Sequence, residues 1–306
     1  ADNNLPLDLG TIGTAAWRVV LGSFKVLILS QGLHSWQRQS LAAVVAGAPL
    51  EQRATQGALA ATLYALFLYV NFSGYTDFVI GIARLYRLRL PENFDHPFAA
   101  PNFIEFWSRW HISLSQWLRS YVFNPLLIGW MRRHKAARGK QSTAVVARFV
   151  TFVLVGAWHG QTAEFLFFGL LQGGGVAGNR LYQVAMAQRM TPAAYARLAG
   201  NGLYRAFARG LTFTWFAFTL LWFWSSWQQL AALAAALGFI RGLLATLGTI
   251  TGAGLILAIP DILGRSGNVA VPLLRSRYTR TAFASAMVLA IGIASLVLHL
   301  ASPEIV

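Results

Sequence analysis

The sequence contains no cysteine. This excludes a disulfide framework, a thiolate metal site and a cysteine nucleophile. Acidic residues are also scarce, with 10 Asp and Glu among 306 residues, and only Glu105, Glu164 and Asp261 lie between residues 96 and 303. A hydrolase that uses paired carboxylates is therefore unsupported. The sequence also lacks the H-E-x-x-H, P-loop and G-x-S-x-G motifs, and we expect no bound metal or other bound cofactor.

Charged residues of either sign are rare in a chain that is mostly apolar. Hydrophobic residues make up 56% and charged residues 11% of the sequence, with a mean hydropathy of +0.51, whereas soluble domains carry about 25% charged residues. The net charge is +15, but the Lys and Arg residues lie between long apolar runs, as in positive-inside loops. This pattern predicts an all-α, polytopic membrane protein whose partner is the lipid bilayer, and it argues against nucleic-acid binding.

We expect one polytopic domain over residues 1–306, with six to eight membrane helices. Its motif core should cover about 71–178, and its carboxy-terminal helices about 203–301. The candidate apolar segments are residues 11–34, 57–83, 211–228, 230–259 (as one or two helices) and 281–301, with a basic loop at 179–209. Residue 1 is Ala, and no signal-like segment opens the chain, so an amino-terminal part that is missing or was processed is expected.

Residues 101–128 combine three tryptophans with two arginines, one glutamate and one histidine, His111. Apolar residues recur there every three or four positions, which predicts one amphipathic helix at the membrane interface that Pro125 ends or kinks. The basic segment 129–140 follows, and it predicts a cytoplasmic anchor or, alternatively, a site for anionic lipid or a carrier's phosphate. His96 and His134 are interpreted as solvated loop residues.

A second histidine, His159, lies in the motif GAWHG at 156–160, inside the apolar run 143–178. Either one helix crosses with His159 near its middle, or two helices meet at Gly160. An imidazole in an apolar run is often structural. However, ionisable groups at membrane depth are functional candidates, and imidazole is suited to accept a proton near physiological pH. Asp77 interrupts the apolar span 57–83, and two interpretations are open for it as well. It is either a site residue or a structural residue that caps the helix or forms an ion pair.

Three motifs occur in order: GYTDFVIGIARLYRLRLPENFDHPF (74–98), FWSRWHISLSQWLRSYVFNPL (106–126) and GAWHG (156–160). Together they resemble the membrane-bound O-acyltransferase family, in its bacterial branch of D-alanyl transfer and alginate O-acetylation proteins. The resemblance implies a helical bundle with a central tunnel in the bacterial cytoplasmic membrane and an interfacial motif helix. It also implies further amino-terminal helices that this sequence does not show. The segment after the motif helix is closer to the D-alanyl type, and the composition leaves the acceptor open.

The resemblance also implies roles for individual residues. His159 matches the family's catalytic histidine and would act as general base. His111 matches a second polar position and would stabilise the oxyanion or orient the base. Substrate-binding residues are expected at Asp77, Trp107, Arg109, Trp110 and Trp158. The implied cosubstrate is a cytoplasmic acyl thioester, acetyl-CoA or an acyl-carrier protein, and the acceptor is a hydroxyl of an extracytoplasmic polymer or of a relay partner protein.

Two alternatives to acyl transfer use the same residues differently. A transporter or flippase subunit would use the cavity to move a lipid or acyl carrier, and it predicts paired halves with broken helices. A non-catalytic scaffold would dock a partner acyltransferase and keep the histidines structural. No internal repeat supports the first alternative. Acyl transfer by the purified protein alone would separate the second from an enzyme.

Overall fold

The computed structural model describes residues 5–133, 140–262 and 277–301. Within these ranges every regular element is helical, and the one strand-like pairing is an isolated bridge between Phe94 and Trp110. The predicted all-α class is therefore confirmed. The described residues fall into two compact units, which are taken separately below, and the expectation of a single polytopic domain stays a prediction.

The first unit contains the described parts of Ala1–Gln39, Leu63–Asn93 and Gly264–Val306. Its helices, two of which continue beyond it, are α1 (Leu9–Phe24), a π-helical turn (Lys25–Leu29), α2 (Ser30–Val45), α3 (Leu50–Leu85) and α13 (Arg277–Ala301). Glycines bring α1 and α3 into close contact, since a Cβ on Gly81 would lie 2.9 Å from the carbonyl oxygen of Ala15. Small residues allow such close backbone approach between membrane helices.

The second unit contains Ser40–Thr62 and the described part of Phe94–Leu263. Its further elements are a 3₁₀ turn (Pro97–Ala99), α4 (Phe103–Arg109), α5 (Ile112–Leu118), a π-helical turn (Arg119–Phe123), α6 (Asn124–Arg133), α7 (Lys140–His159), α8 (Ala163–Arg189), α9 (Pro192–Gly200), α10 (Gly202–Thr219), α11 (Leu221–Trp224) and α12 (Trp227–Ile262). Two helix pairs pack most extensively, α7 with α8 and α10 with α12. In the second pair, a Cβ on Gly254 would lie 2.6 Å from the carbonyl oxygen of Ala206.

Five of the described helical segments are long and apolar enough to cross a membrane, and a sixth apolar stretch, Thr281–Ala294, is shorter. The five are Leu9–Val45, Gln52–Leu85, Ser142–His159, Gly202–Trp224 and Trp227–Ile259. A multi-pass membrane protein is thus supported, with five candidate spans among the described residues where six to eight were predicted. The segment 230–259 lies in two helical stretches of α12 that meet at a kink at Gly238, whose φ of 65° and ψ of 170° are not helical, so the second of its two predicted alternatives is observed.

Two expectations about local structure are wrong. Residues 179–209 are not a loop, because α8 continues to Arg189 and α9 and α10 follow directly. Residues 101–128 are not one helix, because the helix is interrupted between α4 and α5. Pro125 does not end a helix, since it lies inside α6. Of the basic segment 129–140, residues 134–139, including His134, lie outside the described residues.

Candidate active site

His159 is the last residue of α7, and Gly160 separates it from α8. The second of the two sequence alternatives is therefore correct, since two helices meet after the GAWHG histidine. Glycines fix this helical hairpin at close range. A Cβ on Gly156 would lie 2.7 Å from the Cα of Gly169, and one on Gly173 would lie 2.9 Å from the carbonyl oxygen of Phe149. The position of His159 follows from this packing.

Aromatic rings surround the His159 imidazole. Phe223 lies edge-on at 5.0 Å between ring centroids, Phe168 lies edge-on at 5.8 Å, and Phe165 stacks at 6.4 Å. The neighbouring indole of Trp158 is 4.9 Å away and two-thirds exposed. Such ring contacts restrict the imidazole's orientation while leaving its nitrogens to other partners. The site is half-buried and apolar.

His111 lies at the break between α4 and α5, and its backbone is left-handed, with φ 45° and ψ 57°. The carbonyl groups that the break releases find other donors. The Ser115 hydroxyl donates to the carbonyl oxygens of Trp107 and Trp110, at 2.9 and 3.2 Å, and the Asp95 amide donates to that of Arg109 at 3.0 Å. A left-handed backbone at a non-glycine residue costs free energy and occurs preferentially at functional sites.

The structure brings the two histidines into electrostatic range of each other. Burial, with a smaller contribution from the nearby charge of His159, lowers the pKa of His111 from its ordinary 6.5 to about 4. His111 is therefore a neutral imidazole at physiological pH, with one N–H donor and one acceptor nitrogen. Residues 48 positions apart in the sequence thus lie near each other in the fold, and their catalytic pairing stays a prediction.

A cavity of about 160 Å³ lies beside the motif helices. Its walls include Trp107 and Ser108 of α4, Ser115 and Leu118 of α5, and Thr151 and Phe152 of α7. The Trp107 indole N–H donates to the Gln172 side chain at 3.3 Å, and Gln172, which is fully buried, donates to the Thr219 hydroxyl at 2.8 Å. This buried chain of hydrogen bonds fixes the orientation of Trp107 at the cavity wall.

The other predicted substrate-binding residues have different surroundings. Trp110 is 5% exposed and packs against Phe106 and Phe216, with ring centroids 5.6 and 4.8 Å away, so it belongs to an aromatic core. Arg109 pairs with Glu105 within α4. Neither placement tests substrate binding, which stays a prediction for both residues and for Trp107 and Trp158.

Asp77 belongs to the first unit, where it forms an ion cluster. Lys25 contacts its carboxylate at 2.7 Å and Arg18 at 3.8 Å, and Arg18 also pairs with Glu92 at 2.6 Å. The neighbouring polar residues of α3 are also satisfied, since the Asn71 amide donates to Ser30 at 3.2 Å. These contacts agree with the structural alternative for Asp77, an ion pair within the span, and substrate binding by Asp77 stays a prediction.

The model of the membrane-bound O-acyltransferase family matches residues 5–223, a range that includes both histidines and most of the chain. The chain belongs to this family. It is 37% identical over 107 residues to a teichoic acid D-alanyltransferase of Bacillus subtilis, covering 35% of this chain and 27% of that protein. The family expectation from the three motifs is thereby confirmed.

Two further relatives carry other names. A peptidoglycan O-acetyltransferase of Helicobacter pylori is 37% identical over 122 residues, 40% of this chain and 22% of that protein. A probable alginate O-acetylase of Pseudomonas syringae is 33% identical over 176 residues, 56% of this chain and 30% of that protein. The matched stretches thus span about a quarter of the length of these relatives.

Two charged residues that were not among the sequence-predicted site residues also line the cavity. Arg119 and Arg148 line the cavity beside Trp107. Arg148 could have been found, because it is the one charged residue between Thr143 and His159, and an ionisable residue in an apolar span indicates a site. Within the described ranges, no three His, Asp or Glu side chains are placed to share a metal ion.

Proposed function

We propose that the protein is a membrane-embedded O-acyltransferase that moves an acyl group from a thioester to a hydroxyl group. The observation that carries this proposal is the approach of His111 to His159 in a chain of the O-acyltransferase family. One imidazole would act as a base and the second as a neutral hydrogen-bond partner. This division of roles matches what acyl transfer to a hydroxyl needs.

His159 is the proposed general base. The phenylalanine rings around it restrict its rotation, so that an acceptor hydroxyl would meet an imidazole of fixed orientation. Orientation of the reacting groups contributes strongly to rate. In the reaction, His159 accepts the proton of the acceptor hydroxyl as the oxygen attacks the thioester carbonyl. The tetrahedral intermediate collapses, the carbon–sulfur bond breaks, and the leaving thiolate takes the proton from His159.

His111 is the proposed partner of the oxyanion. Its depressed pKa keeps it neutral, and a neutral imidazole N–H can donate to the developing negative charge while adding no positive charge next to His159. His111 lies between the end of α4 and the start of α5, and its backbone is left-handed. The direction of its side chain is therefore set by this interruption and not by a regular helix. Removal of one oxyanion donor typically costs 10²–10³-fold in kcat.

The relatives' names suggest the substrates. They describe transfer of D-alanyl or acetyl groups to teichoic acid, peptidoglycan or alginate. We propose that this protein acts at the bacterial cytoplasmic membrane, with coenzyme A or an acyl-carrier protein supplying the thioester from the cytoplasmic side. The acceptor would be an extracytoplasmic polymer hydroxyl or the hydroxyl of a relay protein.

The test is acyl transfer by the purified full chain in lipid nanodiscs, with a radiolabelled acyl thioester and a polymer acceptor. His159→Ala is expected to lower the turnover by about 10²–10⁴-fold, the usual contribution of a general base. The matched control is His34→Ala, which removes an imidazole stacked on Phe67, outside the motif. Equal turnover by His159→Ala and wild type, at equal folded yield, would show that His159 is not the base. Release of free acid without transfer to the polymer would instead indicate a missing relay partner.

A further inference from the structure

Three tyrosines from three helices meet where α8, α9 and α10 join. The hydroxyl groups of Tyr182 on α8 and Tyr204 on α10 lie 3.0 Å apart, and the Tyr195 hydroxyl of α9 is within hydrogen-bonding reach of Tyr204. Two hydrogen bonds among three hydroxyl groups use two of their three hydrogens. The third hydrogen can therefore donate to a ligand outside the cluster, and the exposed side chain of Tyr182 opens the cluster to its surroundings.

The tyrosines lie at the level where the apolar span of the helical hairpin ends. Gly173 of α8 packs against Phe149 of the antiparallel α7, so Tyr182, nine residues further along α8, is level with the start of α7. The apolar span of α7 begins there, at Ser142. Arg189 is seven residues beyond Tyr182, which corresponds to about 10 Å at 1.5 Å per residue. Arg189 therefore lies past the end of the span, where lipid headgroups are expected.

Positive charge surrounds the tyrosines, and the sequence around them contains no acid. Residues 165–260 include six arginines and neither Asp nor Glu. Arg189 follows Tyr182 by about two helical turns, so both residues are on the same face of α8, and Arg205 is next to Tyr204 on α10. Arg189 is exposed, and within the described ranges no carboxylate pairs with it. The junction of the three helices is therefore suited to attract an anion.

An apolar stripe continues from this junction along α10. Leu203, Phe207 and Leu211 recur every four residues, and their side chains are exposed. Side chains at this spacing share one face of a helix. Since Leu203 is next to Tyr204, the stripe begins at the tyrosine hydroxyl groups. A ligand that fits both parts has an anionic head and apolar chains.

We propose that a tyrosine–arginine cluster at this junction binds the headgroup of an anionic phospholipid, while the acyl chains of the lipid lie along the apolar stripe of α10. The cluster consists of Tyr182, Tyr195, Tyr204, Arg189 and Arg205. Tyrosine is typical of membrane interfaces, and basic residues beside a membrane span attract the anionic lipids of the cytoplasmic leaflet. Guanidinium groups bind phosphate through charge-assisted and often bidentate hydrogen bonds. The lipid site is independent of the proposed acyl transfer, because none of its residues lines the cavity beside Trp107.

The stripe favours a lipid over an acidic protein as the occupant. Leu203, Phe207 and Leu211 belong to the candidate membrane span Gly202–Trp224. A soluble acidic protein would reach the arginines but not the part of the stripe at membrane depth. A phospholipid reaches both, because its phosphate lies at the interface and its chains lie in the apolar layer.

The first experiment measures lipid preference. Native mass spectrometry of the full chain in neutral detergent gives the Kd of the first bound phosphatidylglycerol and of the first bound phosphatidylcholine. Wild type is expected to bind phosphatidylglycerol more tightly. Each basic residue near an anionic headgroup contributes about fivefold in affinity, so Arg189→Gln should lower this preference by about fivefold.

The matched control is Arg197→Gln. Arg197 is an exposed arginine of the same basic stretch, but it is two residues from Tyr195 and so on the other side of α9. Its substitution is expected to change the preference by less than twofold, on the order of ordinary surface screening. Equal losses in Arg189→Gln and Arg197→Gln, or no preference in wild type, would overturn the defined site in favour of a diffuse basic surface.

A second variant tests the hydroxyl groups. Both lipids carry a phosphate, so the double variant Tyr182→Phe, Tyr204→Phe should weaken the binding of both by about tenfold, the effect of one hydrogen bond to a charged group, and leave the preference unchanged. Tyr86→Phe is the control, because Tyr86 is an exposed tyrosine of the first unit. Unchanged binding of both lipids by the double variant would overturn the part of the hydroxyl groups in the site.

The competing occupant is tested with an acidic acyl-carrier protein. Fluorescence anisotropy measures its binding to the full chain in nanodiscs of phosphatidylcholine, and the lipid site predicts equal binding to wild type and to Arg189→Gln. Weaker binding of the carrier protein to Arg189→Gln, together with an unchanged lipid preference, would overturn the lipid site in favour of a protein partner. The unfolding temperature in phosphatidylcholine checks the fold of each variant, and Arg189→Gln should leave it unchanged because Arg189 is at the exposed end of α8.

Discussion

Gly156 and Gly169 face each other across the hairpin of α7 and α8, and a Cβ on Gly169 would lie 2.8 Å from the Cα of Gly156. The same Cβ would lie 2.8 Å from the carbonyl oxygen of Phe152. Both contacts are with backbone atoms, which cannot turn aside as a side chain can. Since His159 is three residues beyond Gly156, the separation of these helices sets where its imidazole lies.

Gly169→Ala is therefore expected to push the two helices apart and displace His159. A misplacement of about 1 Å can cost about 10²-fold in rate, so we expect a loss of that order in turnover, measured with the purified protein at equal folded yield. Gly174→Ala is the matched control, because the same change on the same helix meets no atom within 4 Å. Equal losses in the two variants would mean that the contact does not position the site.

The hairpin shows what could be predicted from the sequence and what could not. The glycines correctly indicated close helix contact, while the site that the GAWHG motif predicts stays a prediction. The choice between one helix and two could not be made, because Gly160 alone does not end a helix and residues 143–178 are apolar on both sides. The contact of Gly156 with Gly169 decides it, and that contact joins residues thirteen positions apart.

The break at His111 was missed because no local signal marks it. Residues 106–118 contain neither glycine nor proline, and their apolar spacing suits a continuous helix. The break depends on hydrogen bonds from outside the helix, notably that of the Asp95 amide to the Arg109 carbonyl. Tertiary contacts of this kind override helix propensity, so one continuous helix was predicted where the structure has two.

The depressed pKa of His111 predicts an acid-sensitive stability. The folded state holds His111 with a pKa of about 4, below the ordinary 6.5, so between these pH values the unfolded chain binds a proton more readily than the folded one. Stability therefore falls as the pH drops from about 6.5 to 4 and is unaffected by this group above 6.5. His111→Gln is expected to lose less thermal stability than wild type between pH 7 and pH 4.5.

The measurement is the unfolding temperature of detergent-solubilised protein at the two pH values. His96→Gln is the control for backbone strain, because His96 has the same left-handed conformation, with φ 44° against 45°. The comparison uses the change in unfolding temperature between the two pH values and not the absolute stability, since either substitution can destabilise the left-handed backbone at its own position. A pH dependence of His111→Gln equal to that of wild type would contradict the buried, neutral imidazole.

Substitution of Asp77 tests whether this carboxylate has a structural role or belongs to the substrate-binding site. Its side chain is 15% exposed and pairs with Lys25 and Arg18, which are 24% and 19% exposed. Asp77→Asn keeps the shape but leaves Lys25 without a counter-charge, whereas Arg18 retains Glu92. Removing one partner of a buried ion pair costs about 3–5 kcal/mol, and we expect the lower part of that range because the cluster is partly exposed.

The free energy of unfolding by denaturing detergent is the measurement for Asp77→Asn, and the double variant Lys25→Gln, Asp77→Asn is the rescue. With both charges removed, no unpaired ammonium remains, so the double variant should recover most of the lost stability, together with its turnover per folded molecule. A single variant that keeps its stability but loses turnover, with no recovery in the double variant, would place Asp77 in the substrate's path. Recovery would instead mean that the acid in the GYTDF motif serves the packing of α1 on α3, and that the chemistry depends on the two histidines.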